Sequence, residues 1–305
     1  MDVDEADAAA YLAQTLGVDS DVTLIGEGAW SRCFAFNMGH AEMVVRFGDH
    51  GDDFEKDRLA SRYNAEWLPI PEVVQVGTAF GGFTCISTRV PGTPLEDVSE
   101  ADWVELAPSV VDIMEAIRTV RIPGPDTWGR WDPNGVASHA TWRDFLLAVD
   151  DDSAATRTPG WRSKLRGHTA GEEAFNEGYR LLESIDVAGV ERSLVHADLI
   201  NRNVHVVNDE ITGVFDWGSS MYGDHLYELA WLQFWAPWHP NLDIDLLIES
   251  LDEEWAAVEH QVDDREQRTL ACHLHIALDH LAYHAHLGNL AELDGIIDRI
   301  RQLTV

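Results

Sequence analysis

The stretch Leu194-Val195-His196-Ala197-Asp198-Leu199-Ile200-Asn201-Arg202-Asn203 sets an aspartate and an asparagine five residues apart, and Asp216-Trp217-Gly218 begins thirteen residues beyond the asparagine. Between them lie two β-rich runs, Val204 to Val207 and Ile211 to Phe215, joined by Asn208-Asp209-Glu210. Two such runs around a short polar link read as a hairpin. A hairpin returns the chain, so three oxygen-bearing side chains, Asp198, Asn203 and Asp216, are expected to converge.

Transfer of a phosphoryl group to a hydroxyl needs a carboxylate beside the nucleophile and oxygen ligands for a Mg²⁺ that bridges the phosphates. An Asp, an Asn and an Asp across a hairpin supply both, in the order of the protein-kinase signature. Asp198 is expected to accept the hydroxyl proton or orient the hydroxyl. Asn203 and Asp216 are expected to hold Mg²⁺, and His196 to brace the loop. A rival reading makes His196, Asp198 and His205 a hydrolytic metal site, but it leaves Asn203 and Asp216 without a task.

Upstream, Gly26-Glu27-Gly28-Ala29-Trp30-Ser31 falls between two β-rich runs. Glycines there permit a tight turn and let backbone amides, with Gly28 and Ser31, approach phosphates; a plain hairpin turn is the alternative. Arg46 follows the apolar Met43-Val44-Val45, where a kinase carries a basic residue for the α- and β-phosphates. Lysine is usual there, but arginine binds phosphate in fork geometry. Its partner on the next helix is Glu55 or Asp57. Lys56, between them, is one of only two lysines, the other being Lys164. It reads either as a second phosphate contact or as a solvated helix residue.

Working outward, Asp4 to Leu16 reads as a helix closed by Gly17. Thr23 to Phe36, Met43 to Phe47, Val73 to Val76 and Phe83 to Val90 read as strands, with a helix over Phe54 to Trp67. Pro91, Gly92 and Pro94 mark a boundary. Beyond it the apolar spacing predicts helices from Ser99 toward Val120 and over Thr141 to Val149, Glu172 to Ile185, Leu226 to Trp235, Leu242 to Val258 and Arg268 to Leu287. The expected class is α+β: a small β-rich lobe over residues 1–90 and a larger, mainly helical lobe over 91–305.

The chain has 305 residues, 45% of them hydrophobic, enough to bury a core. Asp and Glu number 54 against 21 Lys and Arg, a formal net charge of -33. Such a surface repels nucleic acid and anionic lipid, so neither is an expected partner. It could attract cationic substrates. Its spread along the whole chain points instead to adaptation to high salt, where charge is screened. Three cysteines, Cys33, Cys85 and Cys272, form no disulfide framework. The acidic start lacks a signal peptide's basic region, and no apolar run reaches the ~20 residues of a membrane span. A cytoplasmic protein is expected.

Val195-His196-Ala197-Asp198 through Asn203, with Asp216-Trp217, resembles the aminoglycoside phosphotransferase and choline-kinase family. Flanking segments resemble its hygromycin B branch: Lys56-Asp57-Arg58, Leu68-Pro69-Ile70-Pro71-Glu72-Val73, Thr141-Trp142-Arg143-Asp144-Phe145, and Met221-Tyr222-Gly223-Asp224 on to Phe234-Trp235-Ala236-Pro237-Trp238. The resemblance covers roughly Thr23 to Leu287. It implies a two-lobed protein-kinase-like fold, ATP and Mg²⁺ as cofactors, Asp198 as catalytic residue and Asn203 and Asp216 as metal ligands. It also implies a nucleotide cleft between lobes, with adenine near the linker from Ser87 to Val90, and Arg46 fits the branch. The implied acceptor is a hydroxyl of an aminoglycoside or related cyclitol or sugar; a metabolic kinase, or a silent nucleotide-binding module, is the alternative.

Aminocyclitols are cationic and call for acidic pocket residues. Asp224 and Glu228, at i,i+4, would share a helix face. Trp235 and Trp238 could stack on sugar rings, with core packing as the alternative. Asp126, Trp128 and Trp131, in a Gly/Pro-rich loop, are further wall candidates. The histidines His273, His275, His280, His284 and His286 lack a zinc-protease glutamate and read as partly buried helix residues.

Overall fold

The computed structural model describes residues 2–28 and 30–304. In chain order the elements are α1 (Glu5–Leu16), β1 (Thr23–Glu27), β2 (Ser31–Met38), β3 (Ala41–Gly48), α2 (Gly51–Ala60), β4 (Val73–Ala79), β5 (Gly82–Thr88), β6 (Thr93–Pro94), α3 (Glu100–Arg118), β7 (Trp128–Trp131), β8 (Ala137–His139), α4 (Trp142–Leu147), α5 (Trp161–Leu165), α6 (Thr169–Ser184), β9 (Ser193–Val195), β10 (Val204–Val207), β11 (Glu210–Val214), β12 (Met221–Gly223), α7 (Leu226–Trp235), α8 (Ile244–Ala257), α9 (Arg265–Leu287) and α10 (Leu290–Thr304). The N-terminal part is β-rich and the C-terminal part helical, as the pattern predicts.

The chain forms two compact units: residues 1–120, 131–136 and 198–220, and residues 121–130, 137–197 and 221–305. Within the first unit the polar face of α2 binds the turn after Asp216, and β6 pairs with β10.

In the first unit a five-stranded antiparallel sheet runs β1-β2-β3-β5-β4. Asp4 caps α1 by accepting the Asp7 N–H at 2.8 Å, and Gly17 ends it in the left-handed region at φ 66°. The apolar stripe of α1, with Ala8 and Leu12, closes the core against Phe34, Phe36, Met43, Val45, Phe47 and Ile86. Helix α2 ends at Ala60, short of the expected Trp67. Asn64 explains the stop: its Oδ1 accepts the Ile70 N–H at 3.0 Å, offering the backbone a partner outside the helix. Strands β11, β10 and β6 make a small second sheet.

In the second unit α9 lies against α5, α6, α7 and α10. Gly178 lets α6 approach closely, since a Cβ there would sit 3.3 Å from Leu278 and 3.4 Å from Ile300. A sheet in the order β8-β7-β12-β9 places Met221 beside Val195.

Candidate active site

The residues from Ala197 to Asp216 carry unusual backbone. Of eight described non-glycine residues with positive φ, five lie in this span: Ala197, Asn201, Arg202, Asn208 and Asp216. Such conformations cost of order 1–3 kcal/mol each and persist where the surroundings hold them. The holders can be named. The Arg202 N–H donates to Glu96 Oε1 at 2.5 Å, and its guanidinium donates to Asp97 Oδ2 at 2.9 Å. Asn201 Nδ2 donates to Asp198 Oδ1 at 2.6 Å, and Asn203 Nδ2 to Asp198 Oδ2 at 3.0 Å. Glu96, Asp97 and Asn201 are absent from the sequence-based site; only Asn201, three residues past Asp198, carries a local signal for such an Asx contact.

Both oxygens of Asp198 are therefore fixed by amides. Desolvation raises its carboxyl well above the usual carboxylate range; the Asn201 and Asn203 amides oppose this, and the nearby Asp216 charge adds to it. Asp216 is also raised, by desolvation first and then by Asp57, with Arg46 opposing. Asp216 remains exposed to solvent, so screening limits that shift.

Arg46, on β3, forms an ion pair with Asp57 of α2, which decides between Glu55 and Asp57. Glu55 instead pairs with Arg58. The other Asp57 oxygen accepts the Trp217 N–H at 2.7 Å. The guanidinium lies 5.0 Å from the Phe54 ring centroid. Lys56 is not a solvated residue: it is 3% exposed, and its Nζ donates to the Gly218 and Ser220 carbonyls at 2.7 and 3.0 Å. That geometry corrects the expected phosphate contact, because the ammonium points into the turn after Asp216.

Between β1 and β2 the Gly28 N–H donates to the Ser31 carbonyl at 2.9 Å, so this is a closed hairpin turn; Ala29 lies outside the described residues. Gly48, unflagged in the sequence, is required here: a Cβ would lie 2.7 Å from the Trp30 carbonyl. Ser87 is buried within β5, opposite Val44 and Val73. Val90 packs over Gly213, where a Cβ would fall 2.5 Å from its Cγ1.

The expected substrate acids are corrected. Asp224 precedes α7 rather than sharing its face with Glu228. It is fully buried, takes Arg268 Nε and Nη2 at 2.8 and 2.7 Å, and accepts the Leu226 N–H at 3.0 Å. Its charge is thus neutralised inside the protein. Glu228 is 2% exposed and accepts the backbone N–H groups of His196 and Ala197. It supports the strand end that leads into Asp198. Burial raises its carboxyl to about 7, with those two N–H groups opposing. Trp235 is half-buried, its ring 4.7 Å from His280 and 5.2 Å from Trp238. Trp238 is 44% exposed. Trp131 is buried beneath Lys56, 4.8 Å away, and lines no open surface.

The donor set suits a hard divalent cation. Asn203 uses its Nδ2 on Asp198, so its carbonyl oxygen is the atom that could face a cation, and Asp216 offers a carboxylate crowded by Asp57 and Asp53. Oxygen donors of this kind, completed by phosphates and water, match Mg²⁺. Among the described residues no group of three or more His, Cys, Asp and Glu could hold a metal ion. His275 meets the Tyr227 hydroxyl at 2.9 Å, and His280 meets the Ile276 carbonyl.

Known proteins resemble this chain in sequence and in fold. Hygromycin-B 4-O-kinase of Escherichia coli is 34% identical over 230 residues, 75% of this chain. The match spans 66% of that protein's length. A thermostable mutant of aminoglycoside phosphotransferase APH(4)-Ia, in ternary complex with AMP-PNP and hygromycin B, superposes with a TM-score of 0.82 at 29% identity, covering 97% of each chain. Spectinomycin phosphotransferase APH(9)-Ia, at 12% identity and a TM-score of 0.61 over 99% of each chain, shares the fold. The phosphotransferase enzyme family profile, APH, matches residues 21–260, and with the protein-kinase-like fold in place, the chain belongs to that family.

Proposed function

We propose that the protein transfers the γ-phosphoryl group of ATP to a hydroxyl of hygromycin B or a closely related aminocyclitol. The observation that carries this reading is Asp198, clamped by the Asn201 and Asn203 amides at 2.6 and 3.0 Å, with Asp216 near enough to perturb it. A carboxylate whose proton affinity is raised is a stronger base toward a hydroxyl, and two fixed oxygens orient that hydroxyl for in-line attack. Asn203 Oδ1 and Asp216 would hold Mg²⁺, which when bound would bridge and neutralise the phosphates. Arg46, held by Asp57, is the candidate for the α- and β-phosphates. The Gly28–Ser31 turn would cover them, and the segment from Ser87 to Val90 would offer its backbone to the adenine.

On the acceptor side, exposed Trp238 beside Trp235 gives a surface for a sugar ring. The cationic groups of the acceptor must find acids other than Asp224 and Glu228. A cytoplasmic setting fits the need for ATP and the three free cysteines. Among the described residues no helix is long and apolar enough to cross a membrane.

The test is an ADP-release assay in molar KCl with hygromycin B, other aminoglycosides, choline and sugars. Turnover with hygromycin B is expected. Turnover with choline alone would overturn the assignment.

A further inference from the structure

Helix α2 turns one face onto the backbone just beyond Asp216. Asp53, Lys56 and Asp57 are spaced i, i+3 and i+4, so they share a side of the helix. A Cβ on Gly218 would lie 3.0 Å from the Asp53 carboxyl carbon. Asp57 receives the Trp217 N–H at 2.7 Å. Lys56 reaches across 162 and 164 residues of sequence to the Gly218 and Ser220 carbonyls, with the Trp131 ring 4.8 Å from its ammonium. An ammonium removed from water needs such acceptors, and an aromatic face adds cation–π attraction. Lysine is seldom this buried, and this chain holds only one other.

The two carbonyls belong to the second and fourth residues after Asp216, whose own φ is 68°. A left-handed aspartate persists only where the backbone on both sides of it is anchored. We propose that Lys56 is a positioning residue: by tying the Gly218 and Ser220 carbonyls to α2, it fixes the direction in which Asp216 presents its carboxylate to a divalent cation. This rests on the phosphotransferase reading, in which Asp216 is a metal ligand. Outer partners of this kind typically change metal affinity by about ten- to a hundred-fold when removed.

The test measures ADP affinity without metal, and Mn²⁺ affinity by electron paramagnetic resonance with ADP present, for the wild type and Lys56→Met. Methionine keeps the apolar stem and removes the charge. The expected result is a Mn²⁺ affinity weakened about ten-fold or more, with metal-free ADP affinity unchanged. Equal Mn²⁺ affinity overturns the proposal, and so does a parallel loss of both affinities, which a merely structural role would cause. If Lys56→Met does not fold, Gly218→Ala decides by the same split, since its methyl group pushes the turn off Asp53. A wild type that binds no Mn²⁺ with ADP overturns the phosphotransferase reading and this proposal together.

Discussion

Asp57 accepts the Trp217 backbone N–H at 2.7 Å while its second oxygen holds the Arg46 guanidinium. One carboxylate thus links the third strand of the β-rich sheet to the residue immediately after Asp216. The proposed phosphate contact at Arg46 and the proposed metal ligand Asp216 are thereby tied to a single buried anion. Its loss should register in stability as well as in turnover.

Asp57→Ala is expected to destabilise the protein by about 3–5 kcal/mol, because it leaves the Arg46 charge buried without a partner. Both side chains are largely enclosed, 13% and 7% exposed, so solvent cannot substitute. Urea unfolding at neutral pH measures this. A loss below about 1 kcal/mol would place the pair with ordinary surface bridges and remove Asp57 from its linking role.

Asp198→Ala is expected to lower kcat by about a hundred- to ten-thousand-fold, the range for a positioned proton acceptor. ADP affinity should stay unchanged, since the carboxylate is engaged by Asn201 and Asn203 rather than by the phosphate contacts proposed around Arg46. Steady-state kinetics and calorimetry together separate the two. Full turnover in the variant would sink the assigned role.

How far the sequence carries this picture depends on element length. The helix from Leu226 to Trp235 is legible because its apolar run is too long for a strand, and the hairpin after Asn203 because two β-rich runs flank a short polar link. Strands of two or three residues, such as Thr93–Pro94, Ser193–Val195 and Met221–Gly223, hold too few side chains to show a period. The last helix lies beyond the expected set, although its spacing is readable: Leu293, Ile296, Ile297 and Ile300 fall at i, i+3, i+4 and i+7. In the site, Asp198, Asn203 and Asp216 stand out by fixed offsets, and Arg46 by its place after the apolar Met43-Val44-Val45. Asp224 and Glu228 mislead for a different reason. Their partners, Arg268 and the His196 and Ala197 backbone, lie far off in sequence, and only tertiary packing shows that their charges are already committed.

Glu228 makes stability depend on pH in a definite direction. Burial lifts its carboxyl from an ordinary 4.5 to about 7 in the folded protein. A raised folded pKa means that the native state binds the proton more tightly than the unfolded chain. Its stabilising contribution is complete below pH 4.5 and is lost as pH rises through 7. The full change is of order 3 kcal/mol for a group this buried. Glu228→Gln, which can still accept from the His196 and Ala197 N–H groups, should flatten that slope. Unfolding midpoints for the two proteins between about pH 4.5 and 8 make the comparison; parallel curves would refute the shift.

Salt should stabilise the protein. With 54 acidic and 21 basic side chains, pairing every cation with one anion still leaves 54 − 21 = 33 acids without a counter-charge. Exposed bridges such as Arg202–Asp97 and Arg265–Asp252 weaken as salt is added, but each is worth about 1 kcal/mol or less. Repulsion among the surplus acids weakens too, as the screening length falls from about 8 Å at physiological ionic strength to about 3 Å at 1 M. The surplus outnumbers the pairs, so relief of repulsion should win, and Tm should climb steadily as KCl is raised into the molar range. Calorimetric melts in KCl, set beside melts in an uncharged solute of equal osmolality, isolate the screening component. A Tm that does not move with KCl, or that rises equally in the uncharged solute, would show that the acidic surface carries no folding penalty for salt to relieve.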